Sequence, residues 1–306
     1  MRKLVGRFLR LFGLGPLLEK IQSESWRWRT GSLWVPPGHY YSPIFNRNNL
    51  LKDAAQLGKE VPRHLAHIAL DETRLLNNLK AMDLVDRPVG FPYKPDPAWR
   101  YHAVNGSYPD NDAACLVGMA RKQRPKRIIE VGCGFSSVLL FDLNDREWNR
   151  SVELCFVDPD PGRMIALLRE GDKPGLKLHP NRLQDTCPEL FQSLEAGDFL
   201  IIDSTHVAKT GSDVNYLYFE ILPRLAPGVL VHIHDIFWPF EYPGSWLEEG
   251  RSWNETYLLR AFLMHNGAWS IEMCNTWLMR FCPEALKEAM PGVSFEGASL
   301  WLCKTK

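Results

Sequence analysis

The chain has 306 residues, 45 % apolar and 24 % charged, with 36 basic side chains balancing 36 acidic ones. At roughly 100–200 residues per domain that is one large domain or two ordinary ones, and the composition excludes collagen-like, disordered and disulfide-scaffold chains. Zero net charge argues against a whole-protein field that gathers nucleic acid, and no uncharged apolar run reaches the roughly 18 residues of a membrane-spanning helix. Cys115, Cys133, Cys155, Cys187, Cys274, Cys282 and Cys303 are scattered, odd in number and never spaced C-x-x-C. That usage predicts free thiols in a reducing, cytoplasmic compartment.

In chain order, residues 1–20 carry Arg2, Lys3, Arg7, Arg10 and Lys20 against one acid, Glu19. Leu4, Val5, Phe8, Leu9, Leu11, Phe12 and Leu14 are interleaved with them. The spacing predicts a short basic amphipathic helix ended by Gly13, Gly15 and Pro16. Docking on its own domain, peripheral contact of residues 1–15 with an anionic membrane surface, and a transit-type leader all fit it. Residues 26–48, with Trp26, Trp28, Trp34, Tyr40 and Tyr41 among prolines, read as irregular aromatic chain. Helical periodicity follows through Leu65, Ile68, Leu70, Leu75, Leu76 and Leu79. A second irregular stretch, 85–111, holds five prolines. Residues 1–110 are therefore expected to form a mostly helical cap with two aromatic loops, ahead of an α/β domain at 111–306.

After Asp112 short apolar runs alternate with helical ones. Strands are predicted at Arg127–Val131, Glu153–Val157, Leu176–Leu178, Phe199–Ile202, Val229–Ile233, Trp269–Met273 and Ser299–Cys303. The intervening helices are predicted at Ser136–Leu143, Gly162–Arg169, Pro188–Leu194 and Val214–Leu225. Asn254-Glu255 then starts a helix that should pack on the sheet. Alternation of this kind predicts a parallel sheet covered on both faces.

The sharpest local signal is Arg127-Ile-Ile-Glu-Val-Gly-Cys-Gly-Phe-Ser-Ser, a buried strand that enters a glycine turn and opens a helix. Gly132 and Gly134 let backbone approach a ligand, and the helix start offers free N–H donors. The second strand ends in Asp158, placed to accept hydrogen bonds from ribose hydroxyls. A dinucleotide loop asks for a third glycine where this chain has Ser137. Glu130 beside the turn would repel a pyrophosphate but suits the cationic amino-acid end of S-adenosylmethionine, so the charge pattern favours that ligand over NAD.

These residues resemble motifs of the class I S-adenosylmethionine-dependent methyltransferases, over about residues 113–304. The resemblance implies a seven-stranded, mostly parallel sheet with helices on both faces and an antiparallel last strand. It also implies that Glu130, Gly132 and Gly134 hold the methionine part, Asp158 the ribose, and Leu183–Asp185 the adenine. Many relatives carry another glycine where Ser136 stands here.

A second constellation follows strands four and five, as Asp203-Ser-Thr-His206 and His234-Asp235. Ligands bind beyond the carboxyl ends of parallel strands, so Asp203, His206, His234 and Asp235 should share one cleft. Two readings stand side by side. In one, Asp203 and Asp235 hold a divalent metal (Mg, Mn, Fe or Zn) that prepares a hydroxyl, with His206 or His234 as ligand or base and His234 the ligand expected; in the other there is no metal and His206 is itself the general base. His232, two residues before His234, is expected to be a core histidine. Lys209, Trp238, Tyr40 and Tyr41 are the substrate-contact candidates. The expected activity is methyl transfer from S-adenosylmethionine to an oxygen of a small molecule or glycan unit, with His206, Asp203 and Asp235 preparing the acceptor. An N-methyltransferase, another metal- or sulfonium-dependent enzyme and a binding protein on the same fold are the alternatives.

Overall fold

Each apolar run that the alternation marks becomes a strand: β1 Arg127–Val131, β2 Glu153–Val157, β3 Lys177–His179, β4 Phe199–Ile202, β5 Leu230–His234, β6 Trp269–Cys274 and β7 Ser299–Lys304. They form one sheet in the order β3-β2-β1-β4-β5-β7-β6. The first five strands run parallel, and β7 inserts antiparallel between β5 and β6. The computed structural model describes residues 34–46, 49–50 and 60–306. The predicted basic helix at 1–15, with Trp26 and Trp28, lies outside the described residues.

Two units divide the chain, one of Met1–Glu60 with Gly244–Ser252, the other of Val61–Pro243 with Trp253–Lys306. The division thus falls at residue 60, while residues 61–110 belong with the sheet. That stretch is also less helical than expected. Among its described residues the regular helix is α1, Glu72–Ala81, capped by the Asp71 carboxylate on the Arg74 N–H. The five prolines of 85–111 remove backbone donors and keep the rest irregular.

Irregular chain needs side chains to fix it, and Arg100 does so. Its buried guanidinium pairs with Asp142, Asp145 and Asp172, and its backbone N–H donates to Asp142 at 2.8 Å. Removing one member of a buried ion network costs about 3–5 kcal/mol.

Among the described residues the remaining helices are α2 Asp110–Gln123, α3 Phe135–Arg146, α4 Gly162–Leu167, α5 Glu189–Gln192, α6 Asp213–Tyr216, α7 Gly244–Glu249, α8 Glu255–Leu263, α9 Asn275–Phe281 and α10 Pro283–Ala289. The helix predicted at 214–225 passes instead from α6 through a π-helical turn, Leu217–Ile221, into a 3-10 turn, Leu222–Arg224. Pro223 cannot continue an α-helical ladder, so the segment changes its winding there. Strands β4 and β5 are buried along their whole length, as a covered parallel sheet requires. β5 runs one residue further than its apolar run suggests, because Ser299 of β7 pairs with His234. Among the described residues no helix is long and apolar enough to cross a membrane. All seven cysteines are free thiols.

Candidate active site

β1 pairs with β2 on one side and β4 on the other, so the strand order reverses between β1 and β4 and a crevice opens beyond their carboxyl ends. The exits of the two strands touch. The Asp203 N–H donates to the Val131 carbonyl at 2.9 Å. Gly132 turns away at φ +83°, and a Cβ there would lie 1.9 Å from the Asp203 carbonyl oxygen. Glycine is therefore required twice, for the left-handed backbone and for the close approach of β4. Gly134 precedes α3, and its N–H donates to the Ser137 hydroxyl at 2.9 Å. The serine in the third glycine position thus ties the turn to its helix.

Glu130 is fully buried under this turn, and neither carboxylate oxygen has a well-formed hydrogen bond. Burial raises its pKa to about 8, although the nearby Ser136 and Ser137 hydroxyls favour the charged form. A buried carboxyl with only these two hydroxyls near it is costly, and it retains accepting capacity for a ligand bearing N–H donors. Asp158 closes the other side of the turn, accepting the Cys133 N–H on Oδ2 and the Asp160 N–H on Oδ1, both at 2.7 Å. A carboxylate oxygen accepts more than one bond, so capacity is left for sugar hydroxyls. Gly132, Asp158, Leu183, Asp203 and Lys209 line a single cleft of about 410 Å³. The cleft residues fit the cofactor that the sequence implies, with Asp158 for its ribose and the buried Leu183 for its base, while Glu130 lies buried beneath the turn.

The strand-end acids and histidines meet beside that cleft. His206 donates from Nδ1 to Glu255 Oε2 at 2.8 Å and from Nε2 to Asp203 Oδ1 at 3.2 Å. Its Nε2 also lies 3.5 Å from Asp235 Oδ2. His234 pairs through Nε2 with Asp112 Oδ2 at 3.2 Å, while its Nδ1 faces Asp203 and Asp235 at 3.5 and 3.6 Å. Both His206 and Asp235 take left-handed backbone, at φ 58° each. Such residues are uncommon and persist where their surroundings hold them.

The electrostatics follow from these contacts. Burial opposes charge on His206, but hydrogen bonds to Asp203 and Glu255 outweigh it and raise its pKa to about 10. For His234 burial also opposes charge, yet Asp235 and Asp203 raise its pKa well above the ordinary value. Asp203 moves the other way: burial disfavours its charge, and His234 with His206 hold it below the usual carboxylate range. Asp235 is raised, because burial exceeds what the two imidazoles return. At neutral pH the cluster is a set of ion pairs with its Asp203 edge, 37 % exposed, at the cleft.

One ligand atom each from Asp203, His206 and Asp235 lies within 4.8 Å of the others, a donor set of two oxygens and a nitrogen that fits a divalent ion. The sequence offers His206 or His234 as the nitrogen donor, His234 being the ligand expected. The structure groups His206 with the two aspartates instead, since Asp112 holds His234 from behind.

Other candidates fall elsewhere. His232 is the expected core histidine: burial lowers its pKa to about 3, and its ring lies 4.8 Å from that of Trp301. Trp238 is placed differently from an exposed wall. It is buried, and its indole N–H donates to the Pro62 carbonyl at 2.7 Å, because an apolar ring with one donor is best satisfied inside. Tyr40 and Tyr41 belong to the smaller unit, where they stand exposed with ring centroids 4.2 Å apart. Sequence reasoning missed Glu255 and Asp112, the two acids behind the histidines. Both sit in first helical turns, where an acid is ordinarily read as a dipole partner; nothing local marks them as buried.

Residues 129–236 match the family model of a methyltransferase domain. An uncharacterized protein of Archaeoglobus fulgidus is 27 % identical over 192 residues, 58 % of this chain and 84 % of its own. Among solved structures, the chain is similar to an SAH-bound Podospora anserina methyltransferase, PaMTH1, at 17 % identity and TM-score 0.39, covering 86 % of this chain and 97 % of that one. It is also similar to the O-methyltransferase TomG of Streptomyces achromogenes, involved in tomaymycin synthesis, at 15 % identity and TM-score 0.39, covering 78 % and 92 %. The matched stretch begins in β1 and runs just past β5, so it spans the glycine turn, Asp158 and the Asp203–Asp235 cluster in their sheet order. Over those residues, and on that seven-stranded sheet, the chain carries a methyltransferase domain.

Proposed function

We propose that this chain transfers the methyl group of S-adenosylmethionine to an oxygen of a small molecule or glycan unit, where the cofactor cleft meets the acid–histidine cluster. One observation carries the reading: Asp203 belongs to both regions. It lines the cleft with Gly132 and Asp158, and it accepts a hydrogen bond from His206. In the transfer, an oxygen–carbon bond forms as the carbon–sulfur bond breaks. The electron pair of the broken bond stays on sulfur, leaving a neutral thioether, and the acceptor's proton passes to a base. The chain supplies an in-line pose and a site shielded from water, which account for most of the rate in such reactions.

His206 Nε2 is the nitrogen nearest the two aspartates, so it is our candidate for that proton. In the ion-paired state it already carries one, held by Asp203 and Glu255. It becomes a base only when the negative field at Asp203 and Asp235 is relieved. A divalent cation held by Asp203 and Asp235 would supply Lewis acidity toward the acceptor oxygen and neutralise those carboxylates; if His206 Nε2 were also a ligand, the proton would have to go to another base. Without a metal, a cationic cofactor in the cleft that Asp203 lines would supply part of the same relief.

The test is transfer of isotopically labelled methyl to a panel of hydroxylated small molecules and glycans. It is run on chelated protein and on protein resupplied with Mg, Mn, Fe or Zn. We expect label on oxygen, increased by resupply. Absence of S-adenosylmethionine binding in calorimetry defeats the whole reading. Activity unchanged by chelation and resupply removes the metal alone.

A further inference from the structure

We propose that Glu255 is the positioning residue of His206, fixing which imidazole nitrogen faces the cleft. The proposal rests on the methyl-transfer reading only for its kinetic test. Glu255 opens α8, and it is fully buried. Its Oε2 accepts the Nδ1 proton of His206 at 2.8 Å and the Ser204 hydroxyl at 3.1 Å. That leaves Nε2 as the nitrogen turned toward Asp203 and Asp235.

The hold extends to the backbone. The N–H groups of Asn254 and Glu255 both donate to the His206 carbonyl, at 3.0 and 3.1 Å. The Asn254 side chain brackets Ala208, accepting its N–H at 2.6 Å and donating to its carbonyl at 3.2 Å. The Ser204 hydroxyl accepts the His206 N–H at 3.2 Å, and the Trp253 ring covers the imidazole at 4.5 Å. The start of α8 therefore clasps a histidine in left-handed backbone from about fifty residues away in sequence, on both main chain and side chain.

Packing gives no reason for an acid at this place. Glu255 Oε1 makes no well-formed hydrogen bond, and beyond His206 and Ser204 the carboxylate has only the buried Tyr218 hydroxyl near it. An amide residue of the same shape would avoid the cost of burying a charge there. The acid is explained if an imidazole must be held in one tautomer and one orientation, the role that carboxylates play behind working histidines. Rotation of the ring by half a turn would set Cδ2 against Glu255 and Cε1 toward the aspartates, and both hydrogen bonds would be lost. The second bond of Glu255, to Ser204, opposes that rotation by fixing the carboxylate plane.

Two measurements test this. In labelled full-length protein, His206 should show an Nδ1-bound proton shifted far downfield by its carboxylate partner, assigned by its loss in His206→Gln. Glu255→Gln, which keeps shape and loses charge, should move that resonance upfield and lower kcat about 10–100-fold while leaving the KM for S-adenosylmethionine unchanged. Glu255→Asp, which keeps the acid, should lose less. A folded Glu255→Gln protein with wild-type kcat overturns the proposal, and so does a wild-type His206 with no proton on Nδ1. If Glu255→Gln does not fold, the wild-type resonance still decides. If the wild-type protein transfers no methyl group to any acceptor, the functional reading falls, and the resonance tests Glu255 on its own.

Discussion

The two halves of the site are built on opposite principles. At the ends of β1 and β2 the glycine turn is tightly self-bonded, yet it leaves one buried acid, Glu130, without a well-formed hydrogen bond. At the ends of β4 and β5 nearly every ionisable group has several partners: His206 faces three carboxylates, and so does His234. The first half is shaped to receive a ligand that completes it. The second already balances its charges and has to be rearranged before it can act. A cofactor site and a proton-handling site thus differ in where their unspent capacity lies, in an orphaned acceptor for one and in exchangeable ion pairs for the other.

The largest expected break of that contrast is at the turn. Gly132→Ala places a methyl group on the Asp203 carbonyl and forces a left-handed alanine. The cost should be about 2–4 kcal/mol, from overpacking plus backbone strain, with S-adenosylmethionine binding lost. Thermal melts and calorimetry check both, and wild-type values in either would show that the two strand exits do not touch as described.

Next in size, Asp158→Ala removes the acceptor of two backbone N–H groups and, on the proposed reading, of the ribose. Cofactor affinity should fall at least 100-fold, roughly 2.7 kcal/mol. A Kd within a factor of three of wild type would remove Asp158 from the cofactor site.

Glu130→Gln sharpens the comparison, because stability and binding should move in opposite directions. The pKa of Glu130 rises from an ordinary 4.5 to about 8 on folding. Between those values the unfolded chain ionises while the folded chain keeps its proton, so this group erodes stability as pH climbs from about 4.5 to about 8, and the erosion then levels off. The glutamine variant should match wild type at pH 4 and be at least about 1 kcal/mol more stable at pH 8, while binding the cofactor more weakly. A stability difference that does not grow with pH would contradict a buried acid without well-formed hydrogen bonds.

The smallest effect is at Trp238. Trp238→Phe loses one hydrogen bond, to Pro62, at about 1 kcal/mol, and kcat/KM should stay within twofold. A large fall in kcat/KM would return Trp238 to the substrate wall.

Much of the fold was legible in advance because it depends on short-range patterns. Ile128, Ile129, Leu200 and Ile201 lie in continuous apolar runs, and buried parallel strands require such runs. The cofactor turn was legible for a related reason: Glu130, Gly132, Gly134 and Asp158 carry their meaning in local spacing and backbone freedom. The irregular segment was not. Val85 to Asn111 shows prolines but not the three acids that Arg100 gathers from far along the chain.

By itself, then, the sequence determined the sheet, its glycine turn and the acids at the strand ends, since each follows from residues close together in the chain. Only the tertiary structure decided which histidine joins Asp203 and Asp235, and that Glu255 and Asp112 stand behind the two imidazoles. The reason is physical. Burial and pairing of charge are properties of the space around a side chain, and that space is filled by helices from distant parts of the chain.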